Sequence, residues 1–446
     1  TTYGAPSKPK KIFNTFGGAL SGPVLIPKLY NGHDRTFFFI DYEGNREPQT
    51  TLQQGSVPSA SVRSGNLNGL PGPAVLDPAT GAPFPNNVIP ADRINPVAAK
   101  VLSTYYPLPN YNSTVTNYRN LLSTPSSTDG YDIRIDHVIN SKQQVFGRWS
   151  WKNIPYTQSN GAILPPDQYT ISSRNLILSH NFSILPTLVN EFRFGISRWT
   201  TADRFPLNGS SVVASLGLQG LDLSGVPAGT GGFPQFNFSD GTGFTAVSHG
   251  RDGPTRSENY QFVDNVSWNK GRHAMKFGFD IRQLRYEAVL HYSSSDDFGG
   301  FTFSSGAFSG NAFADFLLGL PSSSLYVTEG ANTNQKITNY DFYAQDEWLV
   351  SDHLTVSYGL RYEIHPPMSE ASGNISNFNP ANLEVVVPDK HVPNAPGFLD
   401  SVNLCPGTVP GYPCTNIVTA SQAGLPQGLR RTYYGNFDPR LSLAYR

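Results

Sequence analysis

The sequence predicts an all-β protein, an antiparallel transmembrane β-barrel with long external loops and short periplasmic turns. Three observations support this prediction: the alternation of apolar and polar residues in several segments, the alternation of short and long connections between them, and the composition. The 446 residues include 28 Phe and 22 Tyr but only 2 Met, together with 42 Gly and 36 Pro. Such a composition is typical of strands joined by turns and long loops, and it argues against a helix bundle.

The clearest hairpin lies at residues 340–363. One face of its second half is apolar: Leu354, Val356, Tyr358, Leu360 and Tyr362. The other face is polar: Thr355, Ser357, Gly359 and Arg361. Successive side chains of a strand point to opposite faces, so this pattern predicts a strand. Residues 341–350 predict its partner, with Asp346 as an exception on the apolar face, and residues 351–353 are short enough to force an antiparallel turn.

Further strands show the same alternation. The predicted hairpins pair 131–138 with 145–152, 174–182 with 190–199, and 260–268 with 274–286. Single strands are predicted at 16–23, 36–44 and 438–446. Lengths of about 9–12 residues match a tilted crossing of a bilayer.

Short and long connections alternate along the chain. The short turns are 139–144, 184–189, 269–273 and 351–353. The long loops are 45–130, 153–173, 200–259, 287–338 and 365–432. An outer-membrane barrel has short periplasmic turns and long external loops, with apolar faces against lipid and polar faces toward the lumen, whereas a sandwich or propeller has no reason to alternate in this way. Four aromatic residues near strand ends predict contacts with the membrane interfaces: Trp199, Trp268, Trp348 and Tyr362.

Two apolar segments lie inside the predicted loops. Residues 95–106 predict a short helix with Asn95 as N-cap and Pro96 at its first position. Residues 311–321 predict a helical turn or a buried apolar plug of the loop. Cys405 and Cys414 predict a disulfide that closes the last loop in an oxidising compartment, with a metal site as the less favoured alternative because it needs more ligands.

Several functional classes find little support. No apolar run reaches the length of a transmembrane helix. A net charge of −1 without a basic stripe argues against nucleic-acid binding. The motifs of zinc proteases, serine hydrolases, nucleotide-binding loops and CxxC sites are missing, so we expect no enzyme, cofactor or metal. Asp296 and Asp297 favour a solvated loop over a calcium site, and residues 241–246 favour a flexible turn over a dinucleotide loop.

The polar face of the clearest strand allows two interpretations. Arg361 and Glu363 either contact a ligand or form part of a ladder of charges that faces the lumen and contacts a plug or a neighbouring strand. The sequence favours the ladder, because alternating charges are the ordinary lining of a wet barrel interior.

The residues resemble one known family. The segment YAQDEWLVSDHLTVSYGLRYE (343–363) looks like the barrel signature of TonB-dependent outer-membrane receptors. Other segments resemble the Oar-like branch, in which a carboxypeptidase-regulatory-like domain and a plug precede the barrel: FGGALSGPV (16–24), RTFFFIDYEGNRE (35–47), VPSASVRSGNLNG (57–69), DPATGAPFPNNVIPADRI (77–94), FVDNVSWNKGRHAMKFGFDIR (262–282), GNAFADFLLGLP (310–321) and NFDPRLSLAYR (436–446).

The resemblance implies a plugged barrel of about 22 strands, of which this chain is the N-terminal part. Residues 1–11 are then a linker from an upstream plug, and residues 12–446 are a partial barrel with its main loops at about 45–130, 200–259, 287–338 and 365–432. The implied partners are the TonB complex, reached through the plug, outer-membrane lipid, and a solute such as a saccharide, siderophore or peptide. The implied location is the outer membrane of a Gram-negative-type bacterium.

Two alternatives remain open. In the second interpretation the chain is a surface adhesion, export or porin-like β-protein without TonB coupling, and its long loops bind partners. A secreted carbohydrate-active enzyme is the third interpretation, and it requires a pair of carboxylates in a cleft. The alternating lipid-type faces argue against this enzyme.

Overall fold

The structure, a computed structural model, describes residues 8–446 except 71, 114–115, 240–242, 290–295, 327–331, 374 and 392–415. Eleven long strands form one antiparallel sheet, here called the wall, in which each strand pairs with its neighbours in chain order. These strands are β1 (Asn14–Pro23), β2 (Thr36–Glu47), β3 (Ser126–Asn140), β4 (Gln143–Gln158), β5 (Asp167–Leu185), β6 (Leu188–Arg204), β7 (Thr255–Lys270), β8 (His273–Val289), β9 (Asn332–Ser351), β10 (Leu354–Ile364) and β11 (Phe437–Tyr445).

The register of the wall keeps the two faces separate. One apolar row crosses six strands through paired residues: Ile40, Ile133, Trp149, Leu176, Ile196 and Tyr260. On the opposite face Arg134 pairs with Arg148. The predicted hairpin at 340–363 is confirmed, with Phe342 opposite Tyr362. Directly opposed side chains share a face of the sheet. The alternation of side chains within each strand therefore gives the wall two continuous surfaces, one on each face.

Asp346 is the acidic residue that was predicted as an exception on the apolar face of β9. Its carboxylate is 2.5 Å from Nδ1 of His273 and accepts a hydrogen bond of 2.8 Å from the hydroxyl of Tyr358. The residue is 8% exposed. Asp346 therefore has polar partners on both neighbouring strands. A carboxylate on an apolar surface requires such partners, because its burial without them is costly.

Several strands are longer than the alternation predicts. The strand predicted at 174–182 spans Asp167–Leu185, and the loop predicted at 153–173 is reduced to residues 159–166. The ladder continues to Gln158 opposite Asp167. Residues such as Asn153 and Ser172 are polar and pair at the strand ends. The prediction of the strand bounds fails there because backbone hydrogen bonds form without any alternation of apolar residues. Polar strand ends therefore cannot be recognised from the sequence pattern.

The alternation of connections is confirmed. Within the described chain the short turns 141–142, 186–187, 271–272 and 352–353 lie at one edge of the wall, as does the connection 24–35, which holds the small hairpin of Leu25–Ile26 and Tyr30–Asn31. The described residues of the connections 48–125, 159–166, 205–254, 290–331 and 365–436 lie at the other edge, here called the loop edge. Among the described strands, β1 and β11 form the two ends of the wall and do not pair with each other.

The hydrophobic core lies outside the wall. The connections 48–125, 159–166, 205–254 and 296–326 pack into one unit, here called the loop cap, around a shared cluster of buried residues. The members at its centre are nearly inaccessible: Val57, Leu67, Val101, Phe233, Phe236, Phe313, Phe316 and Leu317. A four-stranded sheet supports them, in the order Val247–His249, Phe233–Phe238, Gly300–Phe303 and Ser323–Leu325. Thr50–Gly55 pairs with Tyr118–Ser123 at the base of the first long loop.

Four helices belong to the loop cap: α1 (Ala60–Arg63), α2 (Pro96–Thr104), α3 (Gly209–Leu216) and α4 (Ala312–Leu318). The predicted helix near 95–106 is α2, and Asn95 caps it by accepting a hydrogen bond from the amide of Val97. The predicted apolar plug is α4, which Asn311 caps through the amides of Phe313 and Ala314. Gly319 ends α4 at φ 73°, a left-handed conformation that favours glycine. None of the described helices is long and apolar enough to cross a membrane.

The last connection, 365–436, has a separate small core. Val386, Ala420 and Leu429 are buried there. The strands Asn377–Asn379, Glu384–Val387 and Asn416–Thr419 form its sheet. Asp389 accepts hydrogen bonds from the amide of Ser421 at 3.0 Å and from the side chain of Gln427 at 2.6 Å. The hydroxyl of Ser421, its amide and Gln427 hold the pKa of Asp389 below its ordinary value.

Candidate functional site

The polar face of the wall carries a ladder of ion pairs. Arg134 pairs with Asp136 at 2.7 Å, and Arg148 pairs with Asp132 at 2.6 Å. Further along the same face Arg282 is 3.2 Å from Asp280. Each acid or base thus has a partner two residues away or on the next strand. Such a surface stays hydrated and offers hydrogen-bonding groups to a polar solute.

A groove of about 600 Å³ opens where this face meets the connection 365–436. One side is formed by Ile337 and Asn339 of β9. The segment that follows β10 forms another side: His365, Pro366, Pro367 and Met368. The small core of the last connection closes it through Leu429, and Arg430 adds a positive charge to the lining. The groove therefore combines apolar contact area with polar groups, which is the usual composition of a small-molecule site.

Three titratable residues meet beside this groove. Nε2 of His365 lies 3.0 Å from Oδ1 of Asp341 and 3.9 Å from a carboxylate oxygen of Glu363. Arg361 pairs with Glu363 at 2.5 Å, and the side-chain amide of Asn436 donates to Glu363 at 3.3 Å. The ligand atoms of Asp341, Glu363 and His365 all lie within 4.8 Å of one another. Together they can bind a polar or cationic group of a solute; none of them is arranged as a nucleophile with its base.

Arg361 and Glu363 contact each other within β10, and the choice between the ladder and a ligand contact stays a prediction. Glu363 also reaches His365 and Asn436, so it connects the ladder with the loop that closes the groove. Asp341 and His365 were not predicted as site residues from the sequence. A signal was present, since residues counted outward from the turn at 352 pair Asp341 with Glu363, and His365 follows two residues later on the same face.

The four predicted interface aromatics lie on the wall. Trp268 and Trp348 are near the edge of the short turns, and Trp199 and Tyr362 are nearer the loop edge. Trp199 is 43% exposed and Trp348 is 38% exposed. Tyr362 stacks on Phe437 with ring centroids 4.4 Å apart. Trp199 shares the polar face with Arg193 of β6, opposite the apolar row through Ile196. Contact of the four residues with the two membrane interfaces stays a prediction.

The remaining sequence predictions fall in the loops. Cys405 and Cys414 lie outside the described residues, as do residues 241 and 242 of the predicted flexible turn. The expectation of a solvated loop at Asp297 is wrong, because that residue is 4% exposed. The short helical turn Asp296–Phe298 packs against α3 and the strand Phe233–Phe238, which removes Asp297 from water.

Comparisons with known proteins give one matching family and several similar solved structures. The family model described as "Outer membrane beta barrel domain" matches residues 1–446. The outer membrane transporter YddB from Escherichia coli is 11% identical, with a TM-score of 0.40 over 81% of this chain and 35% of that chain. The copper transporter OprC is 7% identical, with a TM-score of 0.30 over 83% and 39%. The ferric-catecholate import receptor Fiu from E. coli K12 is 11% identical, with a TM-score of 0.28 over 83% and 53%.

The chain spans about a third to a half of the length of these three structures, with shares of 35%, 39% and 53%. No curated protein is significantly similar to it.

Proposed function

The chain belongs to the outer membrane β-barrel domain family. On that premise we propose that it forms part of the barrel wall and the external loops of a TonB-dependent receptor, which takes up a scarce solute. Its location is the cell outer membrane. The outer membrane holds no ATP, so the energy for uptake comes from the inner membrane through TonB, which acts on a plug in the lumen. The chain itself performs no covalent chemistry in this proposal.

The observation that carries the proposal is the folding of the long loops. A passive channel needs an open, wet mouth. Here four of the five connections at the loop edge are packed instead around a core in which Phe233, Phe316 and Leu317 are buried. A rigid external structure of this kind suits recognition, because preorganised loops bind a solute at lower entropic cost than mobile ones.

The groove supplies the proposed first contact with the solute. Its lining of Asn339, His365 and Arg430, beside the carboxylates of Asp341 and Glu363, selects a molecule with several hydrogen-bonding groups. Saccharides, siderophores and peptides all meet that description. Uptake then requires release from the groove toward the lumen along the polar face.

The test is uptake in the source bacterium. A strain without this gene is compared with the parent for growth on limiting saccharides, iron–siderophore complexes and peptides, and each defect is then examined in a TonB-deficient strain and with a protonophore. We expect the uptake of one solute class to fail in the strain without this gene, in the TonB-deficient strain and with the protonophore. Uptake that survives the loss of TonB, or a defect confined to surface attachment, would reject the proposal in favour of a porin-like or adhesion protein.

Variants of the groove refine the test. The double variant Asp341→Asn with His365→Gln is expected to reduce uptake at low solute concentration, since both groups border the groove. Asp352→Asn is the matched control: that residue lies at a turn on the opposite edge and its side chain is 81% exposed. Equal uptake by the two variants would place solute recognition elsewhere on the loops.

A further inference from the structure

A second cluster of titratable residues lies where the loop cap meets the wall, on strands other than those of the groove. Asp167 is the first residue of β5, His249 ends the loop strand Val247–His249, and Asp252 lies in the segment that leads to β7. Their ligand atoms all lie within 4.8 Å of one another. Asp167 lies 82 positions before His249 in the sequence, so the fold brings a distant carboxylate to the imidazole and its neighbour Asp252.

The hydrogen bonds of His249 fix the position of its proton. Nδ1 lies 2.6 Å from the carbonyl oxygen of Gly250, which only accepts, so Nδ1 carries a hydrogen. In the neutral imidazole Nε2 then has a lone pair, and it faces Oδ2 of Asp167 at 2.9 Å. Two acceptors at this distance need a cation between them, either a second proton on the ring or a metal ion. The bond from Nδ1 to a carbonyl is the arrangement that orients metal-binding histidines.

The distance between the two atoms is close to that required by a metal ion. Ligand atoms about 2.0–2.2 Å from a tetrahedral zinc ion are about 3.3–3.6 Å apart. Nε2 and Oδ2 are 2.9 Å apart, the spacing of a hydrogen bond. A bound ion would therefore move the two atoms apart by only about half an ångström.

Unsatisfied oxygens point to a bound cation. Asp167 is 1% exposed, and within the described part of the chain its Oδ1 has no hydrogen-bond partner. The buried Oδ1 of Asp252 also lacks one there. A carboxylate oxygen buried without a partner is costly, and a metal ion would satisfy it. The carboxylates of Asp167 and Asp252 both lie beside the imidazole of His249, and together they favour positive charge between them.

The surrounding residues hold the cluster in place. The ring of Phe205 stacks on His249, with centroids 4.0 Å apart and planes 6° from parallel. The amide of Phe205 donates to Oδ2 of Asp252 at 2.8 Å. Asp252 approaches the backbone of Gly231 so closely that a Cβ there would lie 2.1 Å from its Oδ2. A larger residue at 231 would displace the carboxylate, so glycine keeps the site formed.

We propose that Asp167, His249 and Asp252 bind one divalent transition-metal ion of the zinc class. The ion joins β5 to two parts of the connection 205–254 and so fastens the loop cap to the wall. This role is structural and separate from solute uptake through the groove.

Zinc binding by the full chain in detergent tests the proposal. The experiment uses the His365→Gln background, so that the cluster beside the groove does not contribute its histidine. After chelator treatment, zinc chloride alone is titrated and bound metal is measured by mass spectrometry. We expect one equivalent, and His249→Gln or Asp167→Asn should weaken binding by at least the roughly 10–100-fold seen when an outer partner of a metal site is lost.

His180→Gln is the matched control, because His180 lies within β5 and contacts Gln143 rather than the cluster. It should bind zinc as the background does. Equal binding by His249→Gln, or no zinc bound by the folded background protein, would overturn the proposal and leave an imidazolium–carboxylate pair.

A measurement without these variants guards against failure to fold. Copper(II), which binds such ligands more tightly than zinc, is added to the His365→Gln protein and examined by pulsed electron paramagnetic resonance. Coupling to one imidazole nitrogen is expected, and its absence counts against the site. Zinc should also slow tryptic cleavage of the loop cap in this protein.

Discussion

The wall and the loop cap use the same apolar residue types in opposite environments. On the wall, Ile135 is 49% exposed and Leu360 is 45% exposed. In the loop cap, Phe233 and Leu317 are at 0%. The wall is held by a continuous backbone ladder and depends on lipid to cover its apolar face, since a spanning structure satisfies its backbone groups internally. The loop cap excludes water by itself, as a soluble domain does.

Stability therefore has two separate origins in one chain. Changes in side-chain volume matter where the protein itself fills the space around a residue. On the wall, lipid or detergent refills that space. Hydrogen exchange measured peptide by peptide reports the local stability of both regions in the same sample, so variants of the wall and of the loop cap can be compared directly.

The largest expected effect comes from Phe316→Ala in α4. Phe316 is 2% exposed and lies against four aromatic rings: Phe236, Phe238, Phe303 and Phe313. Truncation leaves a cavity and should destabilise the loop cap by about 3–5 kcal/mol. Hydrogen exchange should accelerate in peptides of the cap and stay unchanged in the wall. Leu360→Ala is the wall control, and equal losses for both variants would erase the distinction.

A smaller effect is expected at Arg63, which acts as a polar anchor inside the cap. Its guanidinium donates to the carbonyls of Pro58, Leu102 and Tyr106 at 2.8–2.9 Å and also to that of Pro107. Arg63→Lys keeps the charge but not the planar fork of donors. Hydrogen bonds from a charged group contribute about 1.5–3 kcal/mol, and we expect a loss in that range. Unchanged exchange across residues 96–107 would show that the fork is dispensable.

The N-cap of α4 should contribute less. The side chain of Asn311 accepts from the amides of Phe313 and Ala314, both at 3.0 Å. Asn311→Ala removes this acceptor and should cost about 0.5–2 kcal/mol, measured as faster exchange of the first turn of α4. Asn311→Ser retains an acceptor and serves as the comparison. Similar losses in both variants would attribute the effect to packing instead of capping.

The smallest effect concerns pH. Hydrogen bonds from Arg93 and from the amide of Ala79 hold the pKa of Asp77 below its ordinary value. A lowered pKa in the folded state stabilises the loop above the ordinary pKa of about 3.9, and this stabilisation disappears as pH falls through the lowered value. Exchange around residues 75–94, corrected for its intrinsic pH dependence, should rise in acid. Asp77→Asn should flatten that response, and an unaltered response would assign it to other groups.

Local patterns predicted much of the wall and little of the cap. The hairpin at 340–363 and helix α2 were predictable because period two and an Asn–Pro cap are properties of adjacent residues. The loop-cap core was not, since Phe236 and Phe316 meet from separate loops. The polar strand ends near Asn153 carry no apolar period, and the burial of Asp297 depends on distant packing. Beside the groove, Arg361 and Glu363 were singled out, whereas His365 was missed.

The two-residue turns have a consequence for how the chain acquires its structure. Strands joined at 141–142 or 271–272 pair with immediate neighbours, so these hairpins close over short chain distances. The cap core instead joins Val57 to Leu317, and such distant contacts form slowly because long segments must be ordered first. We therefore expect the hairpins of the wall to form first as local units, whereas the pairing of β2 with β3 and the closure of the cap wait until the long connections are ordered. A chain arrested during biogenesis would display Phe236 and its apolar neighbours before α4 arrives to cover them.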